Sequence, residues 1–225
     1  LGFFKAGNYG KYNLKNITIS DEQSLKDKKI IFLGSSVTYG YGSMGVSFVD
    51  FLEKSCSIIA IKEAVSGTTL VDVKGNSYIS RMKKINTSLD IDAFVCQLST
   101  NDATKNMPLG DISESNNKDD FDTKTIAGAI EYIIAYAKDI WNCPVVFYTQ
   151  PKYESEKYAD MVKLLLKIKS KWNIEVVDFW NDEQINSISE QERKLYLVDK
   201  IHPTKAGYCQ WFLPKFQKQL AELFK

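Results

Sequence analysis

The sequence predicts an α/β protein: a mostly parallel, five-stranded sheet with helices on both faces. Three observations predict it. Short apolar runs of strand length alternate along the chain with segments of helical period, which is the pattern of parallel βαβ units. The first run, Ile30, Ile31, Phe32 and Leu33, is apolar without interruption, as expected of a strand covered on both faces. Ser36, Gly67 and Asn101 each fall just after a predicted strand. They would therefore meet at one edge of the sheet, the edge where open α/β sheets bind ligands.

Taken in order, residues 1–28 read as an N-terminal arm packed on the main domain, with a β-strand as one form it can take; residues 1–4 are apolar, and Tyr12, Leu14, Ile17 and Ile19 suggest an extended piece. The main domain is assigned to 29–225. Its first strand covers 29–34 and stops at Gly34. Phe48, Val49, Phe51 and Leu52 share one helical face. A second strand is expected at 57–61, a helix at about 77–86, and a third strand at 93–98. The polar stretch 102–122 is a long loop beside the candidate site, of the kind that serves as lid or binding loop. Thr123 is placed to cap a helix running to about 141, with Ile126, Ile130, Ile133, Ile134 and Ala137 inward. A fourth strand at 144–148, a helix at 156–172 and a fifth strand at 174–178 follow. The last helix runs from about 204 to 224 and is bent or broken at Pro214.

Composition narrows the function. The chain has 225 residues, enough for one α/β domain with a short extension, and 44% are hydrophobic. With 29 basic and 28 acidic residues it lacks the positive excess of a nucleic-acid surface. No run approaches the roughly 20 apolar residues of a membrane span. Cys56, Cys96, Cys143 and Cys209 show no pairing or metal-binding spacing and read as buried free thiols, which favours a reducing compartment. The chain starts at Leu1, so a secreted, processed protein stays open. One histidine and scattered cysteines argue against a metal site, and the glycine-rich run after Gly34 lacks the lysine of a phosphate loop. No cofactor is expected. Oligomeric state is not legible.

The chemistry sits in two short stretches. Gly34-Ser35-Ser36 ends the first strand and presents a hydroxyl at its C-terminal edge. Far along the chain, Asp199 lies three residues before His202, the single imidazole. Serine, histidine and aspartate are the parts of an activated serine nucleophile: the serine attacks, the histidine takes its proton, the aspartate holds the tautomer. Pro203 keeps His202 out of helix, so a loop can fold the carboxylate back onto the ring.

Gly34-Ser35-Ser36-Val37-Thr38 resembles the Gly-Asp-Ser-Leu block of the GDSL/SGNH hydrolase family, and Asp199-x-x-His202-Pro203 its C-terminal block. Gly67 in Ser66-Gly67-Thr68 and Asn101-Asp102 match the two intermediate blocks, in order. The resemblance implies the flavodoxin-like three-layer sandwich of SGNH hydrolases, with Ser36 as nucleophile, His202 as base and Asp199 as its orienting carboxylate. The backbone N–H groups of Ser36 and Gly67 and the Asn101 side chain would form the oxyanion hole. Two positions depart: Ser35 replaces the family's aspartate and Ser99 the glycine of the third block. Asp102 is left as a structural acceptor. Tyr39, Tyr41 and Met44 either line the acyl or leaving-group pocket or pack in the core. The implied activity is cleavage of small acyl esters, acetyl foremost, on a small molecule or carbohydrate. A lipase or thioesterase, and a catalytically silent binding domain of the same fold, are the alternatives.

Overall fold

The computed structural model describes residues 5–225. Five strands, β1 (Lys29–Gly34), β2 (Ile59–Ala64), β3 (Ala93–Gln97), β4 (Val145–Tyr148) and β5 (Glu175–Val177), form one sheet in the order β2-β1-β3-β4-β5. Every pairing is parallel, with Ile31 level with Ile61 on one side and Phe94 on the other. The order reverses beside β1: the chain steps outward to β2, then crosses back to β3. The C-terminal ends of β1 and β3 therefore flank the switch point, where a crevice opens in such sheets.

Nine α-helices connect and cover the strands: α1 (Ser36–Tyr39), α2 (Phe48–Cys56), α3 (Tyr78–Met82), α4 (Thr100–Thr104), α5 (Ile126–Trp141), α6 (Glu156–Trp172), α7 (Glu183–Asn186), α8 (Glu190–Tyr196) and α9 (Leu213–Glu222) among the described residues. Successive strand residues point to opposite faces, and β1 shows the consequence. Ile31 and Leu33 join the core under α3, α5 and α6, while Ile30 and Phe32 join the core under α2 and α9. The second core is strongly aromatic: Phe48 stacks on Phe216 with centroids 4.0 Å apart, and Tyr148 meets both rings edge-on.

Several elements differ from the sequence expectation. Among the described residues of the N-terminal arm no strand forms; three single 3₁₀ turns, Ala6–Asn8, Gly10–Tyr12 and Leu14–Asn16, take its place. The apolar start of the arm lies outside the described residues. The second strand starts two residues late and continues through Lys62 and Glu63, because β2 is an edge strand with its side chains partly in solvent. The helix expected over 77–86 stops at Met82, and the cap of α5 is Thr125, whose Oγ1 accepts from Gly128 N–H. The polar stretch after Asn101 begins as α4 and is then pinned rather than free. Buried Glu131 accepts from Ser113 N–H at 2.8 Å and from the Trp172 indole at 2.9 Å, and Lys171 donates to the carbonyls of Ser113 and Ser115 at 2.6 Å. Those anchors sit at the end of α6 that leads into the start of β5, the edge opposite Ser36. The break expected at Pro214 is not there: the last helical stretch runs through residues 205–222 without a gap, Gly207–Phe212 is π-helical, and Pro214 sits in the first turn of α9. All four cysteines are free, and Cys209 is only partly buried. Among the described residues no helix is long and apolar enough to cross a membrane.

Candidate active site

The first turn after β1 is built to hold one hydroxyl. Ser36 heads α1 and is only 5% exposed. As the first helical residue, it has no preceding carbonyl of the helix to receive its N–H. Three side chains fix this turn on the sheet. Gln97, at the end of β3, accepts from Ser35 N–H at 2.9 Å and from the Thr38 hydroxyl at 2.8 Å. Tyr148, at the end of β4, lies 2.7 Å from the same hydroxyl. Tyr208, in the π-helical segment, donates to the Val37 carbonyl at 2.7 Å.

His202 arrives on a loop closed by an antiparallel bridge between Leu197 and Pro203. Within it, Asp199 Oδ1 accepts from the backbone N–H groups of Ile201 and His202, both at 2.8 Å. The carboxylate is thereby turned back over the ring, with Oδ2 2.7 Å from Nδ1. On the other side of the ring, Nε2 is 2.8 Å from Ser36 Oγ. The three residues expected from the sequence are therefore joined, across 166 residues of chain, in one line of hydrogen bonds. Partial burial pushes the Asp199 carboxyl up. The two backbone donors and the imidazole outweigh it and hold the group below the ordinary carboxylate range. With Nδ1–H donating to Asp199, Nε2 is free to take the serine proton.

Gly67 lies in the loop after β2, and Asn101 in the first turn of α4, just after β3. Gly67 has φ +81°, a left-handed conformation, and a Cβ there would point into open space. Strain rather than crowding thus favours glycine. Asn101 follows Ser99, whose Oγ caps α4 by accepting from the Asn101 N–H at 3.1 Å. The residue that replaces the family's glycine therefore has a local use. Asn101 Nδ2 donates to the Thr68 carbonyl at 2.9 Å, and an amide nitrogen carries a second hydrogen. Asp102 is fully buried and accepts from Leu70 and Val71 N–H at 2.8 and 3.0 Å, the structural role expected of it. Burial raises its carboxyl above the ordinary value despite those donors.

Arg81 escaped the sequence reading and does much of the positioning. It is 4% exposed, and its guanidinium bonds five acceptors: the carbonyls of Asn76, Glu63 and Gly34, the Glu63 carboxylate and the Thr68 hydroxyl. One side chain thus ties the end of β1, beside Ser36, to the loop that carries Gly67. No motif points to it, since most of its partners are backbone atoms. Tyr39, Tyr41 and Met44 are 44–48% exposed, which removes the core-packing alternative. Tyr41 lies against the His202 ring at 4.9 Å. Gly42 packs so close to this loop that a Cβ would stand 2.4 Å from the Pro203 carbonyl, so only glycine fits.

A hydroxyl bonded to an imidazole whose other nitrogen faces a carboxylate is an arrangement in which the hydroxyl can be deprotonated as it attacks. Known proteins agree with the architecture. Among solved structures, a Lactobacillus plantarum protein superposes with a TM-score of 0.74 at 19% identity, over 89% of this chain and 99% of its own. A Bacteroides ovatus protein bearing the name GDSL-like lipase gives 0.64 at 19% identity, over 88% and 99%. Axe2, an acetylxylan esterase from Geobacillus stearothermophilus, gives 0.60 at 15% identity, over 88% and 96%. At such identities these likenesses speak for the fold alone. No curated protein matches the chain in sequence. The GDSL-like lipase/acylhydrolase family, however, matches residues 30–213, from β1 to the start of α9, and the chain therefore belongs to that family of hydrolases.

Proposed function

We propose that the chain is a serine esterase that removes short acyl groups, acetyl foremost, through an acyl-enzyme on Ser36. The observation that carries this reading is the unbroken line from Asp199 through His202 to Ser36, at 2.7 and 2.8 Å. Ser36 Oγ attacks the ester carbonyl as Nε2 takes its proton. Asp199 stabilises the imidazolium that results. Negative charge gathers on the former carbonyl oxygen, toward which the N–H groups of Ser36 and Gly67 and the uncommitted hydrogen of Asn101 are offered. The imidazolium then gives its proton to the leaving alcohol, and water, activated by the same nitrogen, releases the acid.

Retention of this line argues against a silent binding domain. The acetylxylan esterase among the structural neighbours supports a carbohydrate ester as the substrate class. The family's lipases keep longer acyl chains as the second reading, and the exposed rim of Tyr39, Tyr41 and Met44 is the feature that favours it. Hydrolysis of 4-nitrophenyl acetate and octanoate, with Ser36→Ala and Ser35→Ala beside the wild type, tests both points. Acetate turned over faster than octanoate, loss of activity in Ser36→Ala and retention in Ser35→Ala support the proposal. Faster octanoate overturns the acyl size, and an active Ser36→Ala overturns the mechanism.

A further inference from the structure

Beside the site runs a groove of about 440 Å³ whose wall includes Asp199. Its charge is unlike that of the rest of the molecule. Five cations line it, Lys5, Lys152, Arg193, Lys194 and Lys200, against two carboxylates, Glu154 and Asp199; the whole chain carries 29 basic and 28 acidic residues. Asp199 is engaged with His202, and Lys194 is paired with Glu190 across one helical turn. Lys152, Arg193 and Lys200 have no carboxylate partner among the described residues. Like charges gathered without partners are unfavourable, and an anionic ligand relieves that cost.

A second observation is independent of charge. Beneath the groove is a small void that shares Lys152, Arg193, Leu197 and Lys200 with it. Gln150 lines this void, is 1% exposed, and has neither its side-chain oxygen nor its nitrogen hydrogen-bonded. A buried amide without partners is costly. It offers N–H donors and a carbonyl acceptor side by side, which suits a hydroxyl or a bridging water.

From these we infer that the groove is a leaving-group subsite for an ester whose alcohol part carries an oxyanion, a carboxylate or a phosphate. The inference rests on the esterase reading for its direction. Nε2 of His202 must protonate the leaving oxygen, so the alcohol lies on the imidazole side of Ser36. The groove's wall includes Asp199, whose carboxylate bonds the His202 ring, and its neighbour Lys200. A polyhydroxylated alcohol bearing an acidic group meets both features: cations for the charge and the Gln150 amide for a hydroxyl.

The test compares matched esters that differ only in that charge. O-acetylated trigalacturonate is set against its neutral methyl-esterified form, and O-acetylated maltotriose with a phosphate against the same sugar without it. For the charged member of the preferred pair, kcat/KM is expected to be about tenfold higher at about 10 mM salt. The ratio should fall toward one at about 0.5 M salt, where the screening length shrinks to a few Å. It should also fall toward one in the double variant Lys152→Gln, Arg193→Gln, whose side chains are exposed, so that folding is preserved. Which pair shows the preference distinguishes carboxylate from phosphate. Equal turnover within both pairs, or a preference unchanged in the double variant, overturns the inference while leaving the esterase reading intact. If no ester is turned over, that reading fails on its own, and a sulfate titration followed at the single histidine decides the groove. A saturable shift of the His202 resonances, lost in the double variant, supports it; no shift, or one that the double variant retains, overturns it.

Discussion

At Asn101 the proposed role makes a kinetic prediction. Its side-chain amide gives one hydrogen to the Thr68 carbonyl, and on the proposed reading the other is offered to the oxyanion, so Asn101→Ala removes a donor that matters when charge develops. We expect kcat to fall by about 10²–10³ with a smaller change in KM; an effect confined to KM would make Asn101 a ground-state binding residue instead. Asp199 makes a prediction about pH. Its carboxyl lies below the ordinary range, so it should stay ionised through the ordinary carboxylate range and add no proton of its own to the acid limb of kcat/KM. A two-proton limb above about pH 4 would contradict this. The sign for stability is the same: the contribution of Asp199 is complete above the unfolded value near 3.9 and lost as pH falls through the lower folded value. Ser36, Asp199 and His202 were legible because each lies in a short local block. Arg81 and Gln97 were not, because their partners are backbone groups brought near only by the fold.

The elements that carried their own punctuation were also the ones the sequence disclosed. Helix α6 runs from Glu156 to Trp172 as expected, with Ser155 capping its start and Asn173 in a left-handed turn at its end. β1 was legible because both its faces are covered, so its apolar run is unbroken. β2 was misplaced for the opposite reason: at the sheet's edge, burial no longer decides which residues pair. α7 and α8 escaped notice because they bury no residue, although α8 carries a full capping box from Ser189 to Glu192. The loop that carries Gly67 is held at Thr68 by Arg81 and Asn101 and, at its far end, by Asp102, which accepts from the N–H groups of Leu70 and Val71. Asp102→Asn presents one acceptor oxygen and one nitrogen that cannot accept, leaving one of those buried N–H groups unpaired. The expected cost is about 1–3 kcal/mol in urea unfolding, with a fall in kcat as the loop loosens. Unchanged stability would mean that the loop is held from elsewhere.

At the scale of the molecule, the site is assembled from segments far apart in sequence, and the N-terminal arm joins two of them. Asn8 is 7% exposed. Its Nδ2 donates to the Gly42 carbonyl at 2.8 Å, and its Oδ1 accepts from Lys205 N–H at 2.8 Å. Gly42 belongs to the loop after Ser36, and Lys205 follows the His202-Pro203 pair. Beside it, Gly7 is packed so tightly that a Cβ would lie 2.0 Å from the Leu195 carbonyl. Residues 1–29 lie outside the family match at 30–213. We propose that this arm is a clamp that holds the nucleophile loop and the histidine loop in register. Asn8→Ala would leave the buried Gly42 carbonyl and the partly buried Lys205 N–H without this partner, at about 1–3 kcal/mol for the former and less for the latter. The serine–imidazole distance would then be less well held, so kcat should drop even well below the melting temperature, with Ser36 and His202 intact. Asn8→Asp separates the two halves of the clamp: the carboxylate still accepts from Lys205 but cannot donate to Gly42. With a buried carboxylate oxygen set against the Gly42 carbonyl, it should fall at least as far as Asn8→Ala in both melting temperature and kcat. An Asn8→Ala protein with wild-type kcat and only a lowered melting temperature would reduce the arm to packing. One with neither changed would show that the two loops find their register without it.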